Sequence, residues 1–192
     1  MINTPVNANL NRLRVLCADA NSNMRSIYRT LLLGMGVGDV ITADDGAVAY
    51  EQYRAYRPDA VITELTLPML SGLELVKMIR TRPDSPSRHV PIIVCTADAT
   101  RQSILVARDL GVTEFLAKPI SAKSLQERLE TVVSNPRPFV DSGAFVGPDR
   151  RRGRTGGEYR GPDRRERRGD RPSSPPSARP PAPETPQQEK AP

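Results

Sequence analysis

The stretch Asp59-Ala-Val-Ile-Thr-Glu-Leu-Thr-Leu-Pro-Met-Leu-Ser-Gly72 decides how this chain is read. It opens on an apolar run, Ala60-Val61-Ile62, of the kind that forms a strand buried on both faces. The run stops at an acid, Glu64. Pro68 and the pair Ser71-Gly72 mark a turn region, and a helical pattern begins at Leu73. A charged side chain therefore stands where a central strand leaves the core, just before a loop. In a parallel α/β sheet, ligands bind at that edge.

The same pattern repeats on both sides. Upstream, Arg14–Ala18 reads as a strand ending at Asp19. A helix capped by Ser22 runs to about Met35, with Met24, Ile27, Leu31 and Leu32 on one face, and Gly34 and Gly36 stop it. Val40–Ala43 is a short strand, Asp44-Asp45-Gly46 a turn, and the next helix reaches about Tyr56 before Pro58. Tyr50, Tyr53 and Tyr56 are expected to pack, partly buried, from that helix. Downstream, a helix spans Leu73–Arg82, and Pro83–Ser87 is a loop. Val90–Cys95 is a strand ending at Thr96, and Thr100–Leu110 is a helix closed by Gly111. Glu114–Ala117 is a strand ending at Lys118-Pro119. Ser121 caps a last helix with Leu125, Leu129 and Val132 on its core face. Five strands alternating with five helices imply a parallel sheet with helices on both faces, because each crossover returns to the same edge.

In such a sheet all carboxyl ends lie on one side. Asp19, Glu64, Thr96 and Lys118 each end a strand, so they are expected to converge on one rim. Two carboxylates, a hydroxyl and an ammonium could handle an anion, a cation or each other. The plainest arrangement is a solvated rim with a Glu64–Lys118 ion pair. His89, the only histidine, precedes the fourth strand beside Arg88 and reads as a solvated loop residue.

Composition bounds the alternatives. The chain of 192 residues has room for one ordinary domain plus extra material. Its two cysteines, Cys17 and Cys95, both lie in apolar runs and read as buried thiols; neither a disulfide framework nor a Cys-x-x-Cys metal spacing is present. No stretch approaches the roughly 18 apolar residues of a membrane span, and Met1–Arg14 has no apolar leader core, so a cytoplasmic protein is expected. The net charge of +6 is uneven: residues 1–134 carry 15 Lys/Arg and 14 Asp/Glu, whereas residues 135–192 carry 13 and 8. Twelve of the 19 prolines also follow position 134. The expected division is a flexible N-terminus over 1–11, a domain over 12–134 and a disordered Pro/Arg-rich tail over 135–192.

The domain resembles the receiver domain of bacterial two-component response regulators, the family of the chemotaxis protein CheY. The resemblance rests on Val-Leu-Cys-Ala-Asp-Ala-Asn-Ser-Asn-Met-Arg (15–25), Ala-Asp-Asp-Gly (43–46) and Pro-Asp-Ala-Val-Ile-Thr-Glu-Leu-Thr-Leu-Pro-Met-Leu-Ser-Gly (58–72). Val-Cys-Thr-Ala (94–97) and Lys-Pro (118–119) complete it, and it covers about residues 12–134. It implies a flavodoxin-like, doubly wound α/β fold: a five-stranded parallel sheet of order 2-1-3-4-5 with five helices. It also implies roles. In the family an Asp ending the third strand accepts a phosphoryl group from a His kinase, and acids after the first strand help hold Mg²⁺. A Thr or Ser and a Lys contact the phosphoryl group, and an aromatic in the fifth strand reports the change. By position the hydroxyl is Thr96, the lysine Lys118 and the aromatic Phe115.

Two positions depart from that pattern. The acceptor position holds Glu64, and the second acid position holds Ala20, leaving Asp19 in the acidic pocket. Glutamate carries its carboxylate one methylene further out, about 1.5 Å. In-line transfer is sensitive to placement, and an error of about 1 Å can cost roughly 100-fold in rate. Mg²⁺ prefers one or two carboxylates in strict octahedral geometry, so Ala20 weakens its site to Asp19 and Glu64 alone. Without the ion the developing phosphoryl charge is poorly screened. Little or no phosphorylation of Glu64 is therefore expected. Two readings of Glu64 stay open. It could imitate a phosphoryl group, with one charge in place of about −1.5 to −2, or it could pair with Lys118 and lock the inactive packing.

The tail holds a repeat. Phe145-Val-Gly-Pro-Asp-Arg-Arg-Arg-Gly (145–153) recurs as Tyr159-Arg-Gly-Pro-Asp-Arg-Arg-Glu-Arg-Arg-Gly (159–169). Gly-Pro-Asp reads as turn chemistry presenting Arg forks, which bind carboxylates and phosphates. Phe145, Arg150, Arg151, Tyr159, Arg164 and Arg165 are the candidate contact residues. Three readings are open: docking to an acidic protein surface, contact with nucleic acid or an anionic surface, or a plain tether. Pro172–Pro192 reads as an extended spacer. The function expected is a stand-alone, non-enzymatic signalling module. It would meet a His kinase or downstream effector through the face around the fourth helix, fifth strand and fifth helix. A conventional phosphoaccepting receiver and a nucleic-acid-binding protein are the alternatives.

Overall fold

The computed structural model describes residues 10–134, 137–142 and 145–149. A short 3₁₀ turn, Leu10–Arg12, leads into β1 (Arg14–Ala18), α1 (Ser22–Gly34), β2 (Asp39–Ala43), α2 (Gly46–Tyr56) and β3 (Ala60–Thr63). There follow α3 (Gly72–Thr81), β4 (Ile92–Thr96), α4 (Arg101–Asp109), β5 (Glu114–Ala117) and α5 (Ala122–Ser134). Two further strands, β6 (Phe139–Asp141) and β7 (Val146–Pro148), close the described chain.

The five main strands form one sheet in the order β2-β1-β3-β4-β5, every pair parallel, as expected. Only β2 and β5 lie at edges. Central β3 and β4 are buried at every position, which is why their sequences run apolar without alternation. The core divides between the two faces. Leu16, Val61, Ile92 and Val94 pack with α2 and α3 residues such as Tyr53, Leu75 and Ile79. Val15, Cys17, Ile62, Ile93 and Cys95 pack with Tyr28 and Leu32 of α1 and Leu125 and Leu129 of α5.

Polar residues fix the helix starts. Asn21, rather than Ser22, caps α1, its side chain accepting from the amides of Asn23 and Met24. Asp45 caps α2 through Val48 N, and Ser71 and Glu74 form a capping box on α3. Gly34 ends α1 and Gly36 follows at φ 90°, a conformation that costs glycine nothing. Of the three tyrosines on α2, Tyr50 and Tyr53 are buried, whereas Tyr56 is exposed beside Arg14.

Both expected domain boundaries move outward. Leu10 is buried in the core, so packing begins inside the segment expected to be flexible. At the other end, the expected disorder from Asn135 does not hold for 137–142 and 145–149. There β6 and β7 pair antiparallel, Phe139 with Pro148 and Asp141 with Val146. The composition of the whole tail masked a local apolar set: Phe139, Val140, Phe145 and Val146. The first Gly-Pro-Asp is also not a turn: Gly147 and Pro148 lie in β7, and the reversal comes earlier, where Ser142 N donates to Phe145 O. The repeat copy 159–169, Arg150, Arg151 and the spacer lie outside the described residues.

Candidate functional site

The carboxyl ends of β1, β3, β4 and β5 bring Asp19, Glu64, Thr96 and Lys118 to one rim, the arrangement the strand endings predicted. Lys118 is its centre. Its Nζ lies 2.6 Å from Glu64 Oε2 and 2.7 Å from Asp19 Oδ2. The expected Glu64–Lys118 pair is thus a triad in which one ammonium bridges two acids. The site is shielded: side-chain exposure is 17% for Lys118, 11% for Glu64 and 3% for Asp19. Removal from water lowers the pKa of Lys118, but hydrogen bonds and charge from Asp19 and Glu64 outweigh that, and the net direction is upward.

The remaining carboxylate valences are also used. Glu64 Oε1 accepts from the amide of Leu65 at 2.7 Å. Asp19 Oδ1 accepts from Asn21 N at 2.9 Å, and Tyr28 Oη reaches Oδ2 at 3.5 Å. Thr96 is buried, but its hydroxyl accepts from Asp98 N and is not bonded to Glu64. Phe115 is partly buried against the α2–α3 side of the core. Arg25 was not anticipated. From α1 it donates to the carbonyl oxygens of Asp19 and Ala20, setting a second cation beside the position where Ala20 replaces an acid. Its place one turn after the Asn21 cap was the available signal.

The loop after Glu64 is held by close backbone packing. A Cβ on Gly72 would lie 2.0 Å from the Glu64 carbonyl oxygen, and one on Gly46 would lie 1.9 Å from that of Leu70. Glycine is required at both places. These contacts fix the backbone from which the Glu64 side chain turns toward Lys118.

Whether this donor set fits Mg²⁺ can be read from its bonds. The oxygens of Asp19 and Glu64 that face the rim are bound to Lys118 or to backbone amides, and position 20 supplies no carboxylate. Among the described residues no group of three or more His, Cys, Asp or Glu is placed to hold a metal ion. As arranged, the two carboxylates are held by Lys118 and backbone amides, and no third one among the described residues joins them.

His89 is exposed before β4, as expected, and its ring lies 5.0 Å from that of Phe139. Cys17 and Cys95 are buried free thiols. No helix among the described residues is long and apolar enough to cross a membrane.

Comparison with known proteins agrees with the fold. The family model described as the response regulator receiver domain matches residues 15–130. The chemotaxis protein CheY-3 of Vibrio cholerae is 34% identical over 120 residues, 62% of this chain and 91% of its own. The solved structure of chemotaxis protein CheY4 from the same organism superposes with a TM-score of 0.59 at 26% identity, covering 63% of this chain and 98% of that one. The receiver domain of a Pseudomonas aeruginosa sensor histidine kinase, solved with a magnesium ion in its active-site cleft, gives a TM-score of 0.56 at 28% identity. It covers 62% of this chain and 94% of that one.

Proposed function

Because the chain belongs to the response regulator receiver family, a class of signalling modules, we propose that it acts by protein–protein contact with little or no phosphoryl transfer to Glu64. The observation that carries this reading is the Lys118 bridge: Nζ sits within 2.7 Å of both Glu64 and Asp19. An acceptor must present a free carboxylate oxygen in line with the incoming phosphorus, and a cation must screen the phosphoryl oxygens. Here the lysine that would meet the phosphoryl group already neutralises the acceptor. The hydroxyl of Thr96 accepts from the Asp98 amide and makes no bond to Glu64, so of the two family contacts only Lys118 reaches the acceptor.

The same geometry favours the lock over the imitation of a phosphoryl group. An imitation would place a Glu64 oxygen on Thr96; instead Glu64 bonds Lys118 and its own neighbouring amide. The partner surface on this reading is the α4–β5–α5 face, where α4 leaves Leu105 and Val106 exposed. The occupant would be a His kinase or downstream effector in the cytoplasm. The arginine-rich tail would add contacts to an acidic protein surface. The test is covalent: the mass of the chain after incubation with acetyl phosphate and Mg²⁺ stays unchanged. A gain of one phosphoryl group would overturn the reading.

A further inference from the structure

The β6–β7 hairpin lies beyond residue 130, where the family match ends. It covers the amino ends of β4 and β5, opposite the Glu64 rim. Phe139 sets its ring 5.1 Å from the Arg80 guanidinium, Arg137 pairs with Glu114, and Asp141 pairs with Arg88. The first tail repeat fills the groove that remains. Gly111, at φ 93°, has the Val146 carbonyl oxygen only 2.2 Å from where a Cβ would stand. A Cβ on Gly147 would lie 2.8 Å from Gly111 Cα and 2.5 Å from the Phe145 ring. Pro148 is buried, and the amide of Asp149 donates to Pro138 O. Docking thus uses a glycine without a Cβ, over which the aromatic ring folds, a buried proline and the backbone of the following Asp.

Those requirements recur 14 residues later, with Tyr159, Gly161, Pro162 and Asp163 standing for Phe145, Gly147, Pro148 and Asp149. One position differs: Arg160 stands for the buried Val146. We propose that this groove recognises the signature aromatic-x-Gly-Pro-Asp, and that Tyr159–Asp163 of the same chain is its second occupant, replacing Phe145–Asp149 when the first copy lifts.

Chain length permits the exchange. The described chain ends at Asp149 in the groove, and residues 150–158 separate it from Tyr159. Seating the second copy lengthens the connection after β6 from residues 142–145 to residues 142–159, which disfavours it roughly tenfold by loop closure. Arg160 forgoes the burial of Val146, although its long stem can carry the charge out to water. The first copy is therefore the preferred occupant. The exchange would alter which arginines flank the groove: Arg150–Arg152 in one register, Arg164 and Arg165 in the other.

Amide hydrogen exchange on the full chain tests this, comparing Gly147→Val, Gly161→Val and the double variant. The readout is protection of 111–114 and 139–141; protection of β1 and β3 confirms in each variant that the sheet is folded. Gly161→Val should match the natural chain. Gly147→Val should exchange at least about tenfold faster there, and the double variant faster still. Replacing 145–149 by a Gly/Ser segment of equal length, with and without Gly161→Val, should reproduce the last comparison. Equal exchange in Gly147→Val and the double variant would overturn the proposal. So would protection in the double variant equal to the natural chain, or protection in Gly147→Val that rises with protein concentration, which would make a neighbouring chain the donor.

Discussion

The Nζ of Lys118 stands 2.6 Å from the carboxylate of Glu64, at the point where the family's chemistry would need that carboxylate free. The same ammonium holds Asp19. The carboxyl ends of β5, β3 and β1 are thereby joined by one cation, and that joint has measurable consequences.

Lys118→Met removes the cation and leaves two shielded acids facing each other. Breaking a fully buried ion pair in this way costs about 3–5 kcal/mol. The partial exposure of this triad reduces that to about 2 kcal/mol. Urea unfolding at pH 7 measures it, and a variant as stable as the natural chain would contradict the bridge.

The pH dependence has a definite sign. Desolvation lowers the Lys118 pKa, but Asp19 and Glu64 raise it more, so the folded value lies above the ordinary one. A raised base contributes stability that is fully present below its unfolded pKa of about 10.4 and is lost as pH climbs through the folded value. The stability gap between the natural chain and Lys118→Met should be constant from neutral pH to about pH 9 and shrink above about pH 10.5. Denaturation curves of both proteins at matched pH check this, because tyrosine ionisation affects both alike.

Arg80 offers a separate prediction at the opposite edge. It is 1% exposed and donates to the carbonyls of Gly111, Val90 and Arg88. Burial pushes its pKa down to about 9, which still leaves it cationic at neutral pH. Arg80→Met strands those acceptors, each costing about 1–3 kcal/mol when unpaired. A loss of at least about 3 kcal/mol in urea unfolding is expected. A loss under about 1 kcal/mol would show that the carbonyls find other donors.

Much of this was legible in the sequence. The parallel sheet, its order and the convergence of Asp19, Glu64, Thr96 and Lys118 followed from strand endings and family resemblance. The second bond of Lys118, to Asp19, did not, because strand endings place residues at a rim without aiming their side chains. Arg80 occupies a core position of α3 beside Ile79. A helical pattern shows that such a residue faces inward, but not that carbonyls from the loop before β4 and the turn before β5 await it. The hairpin escaped notice because its apolar residues sit among prolines and arginines whose averaged composition reads as unfolded.

The cysteines should be inert in the folded chain. Burial raises both thiols, Cys95 to about 11 and Cys17 further, and the thiolate is the reactive form. Iodoacetamide at pH 8 should label neither in the native protein and both after denaturation. Rapid stoichiometric labelling of native protein would show that the β1–β4 side of the core opens readily.

The most direct measurement is the intact mass of the full chain after incubation with acetyl phosphate and Mg²⁺, beside a double variant, Ala20→Asp with Glu64→Asp, that restores both acids. The account predicts that the natural chain stays at its own mass while the double variant gains one base-labile phosphoryl group. A phosphoryl group on the natural chain, mapped to Glu64, would contradict it.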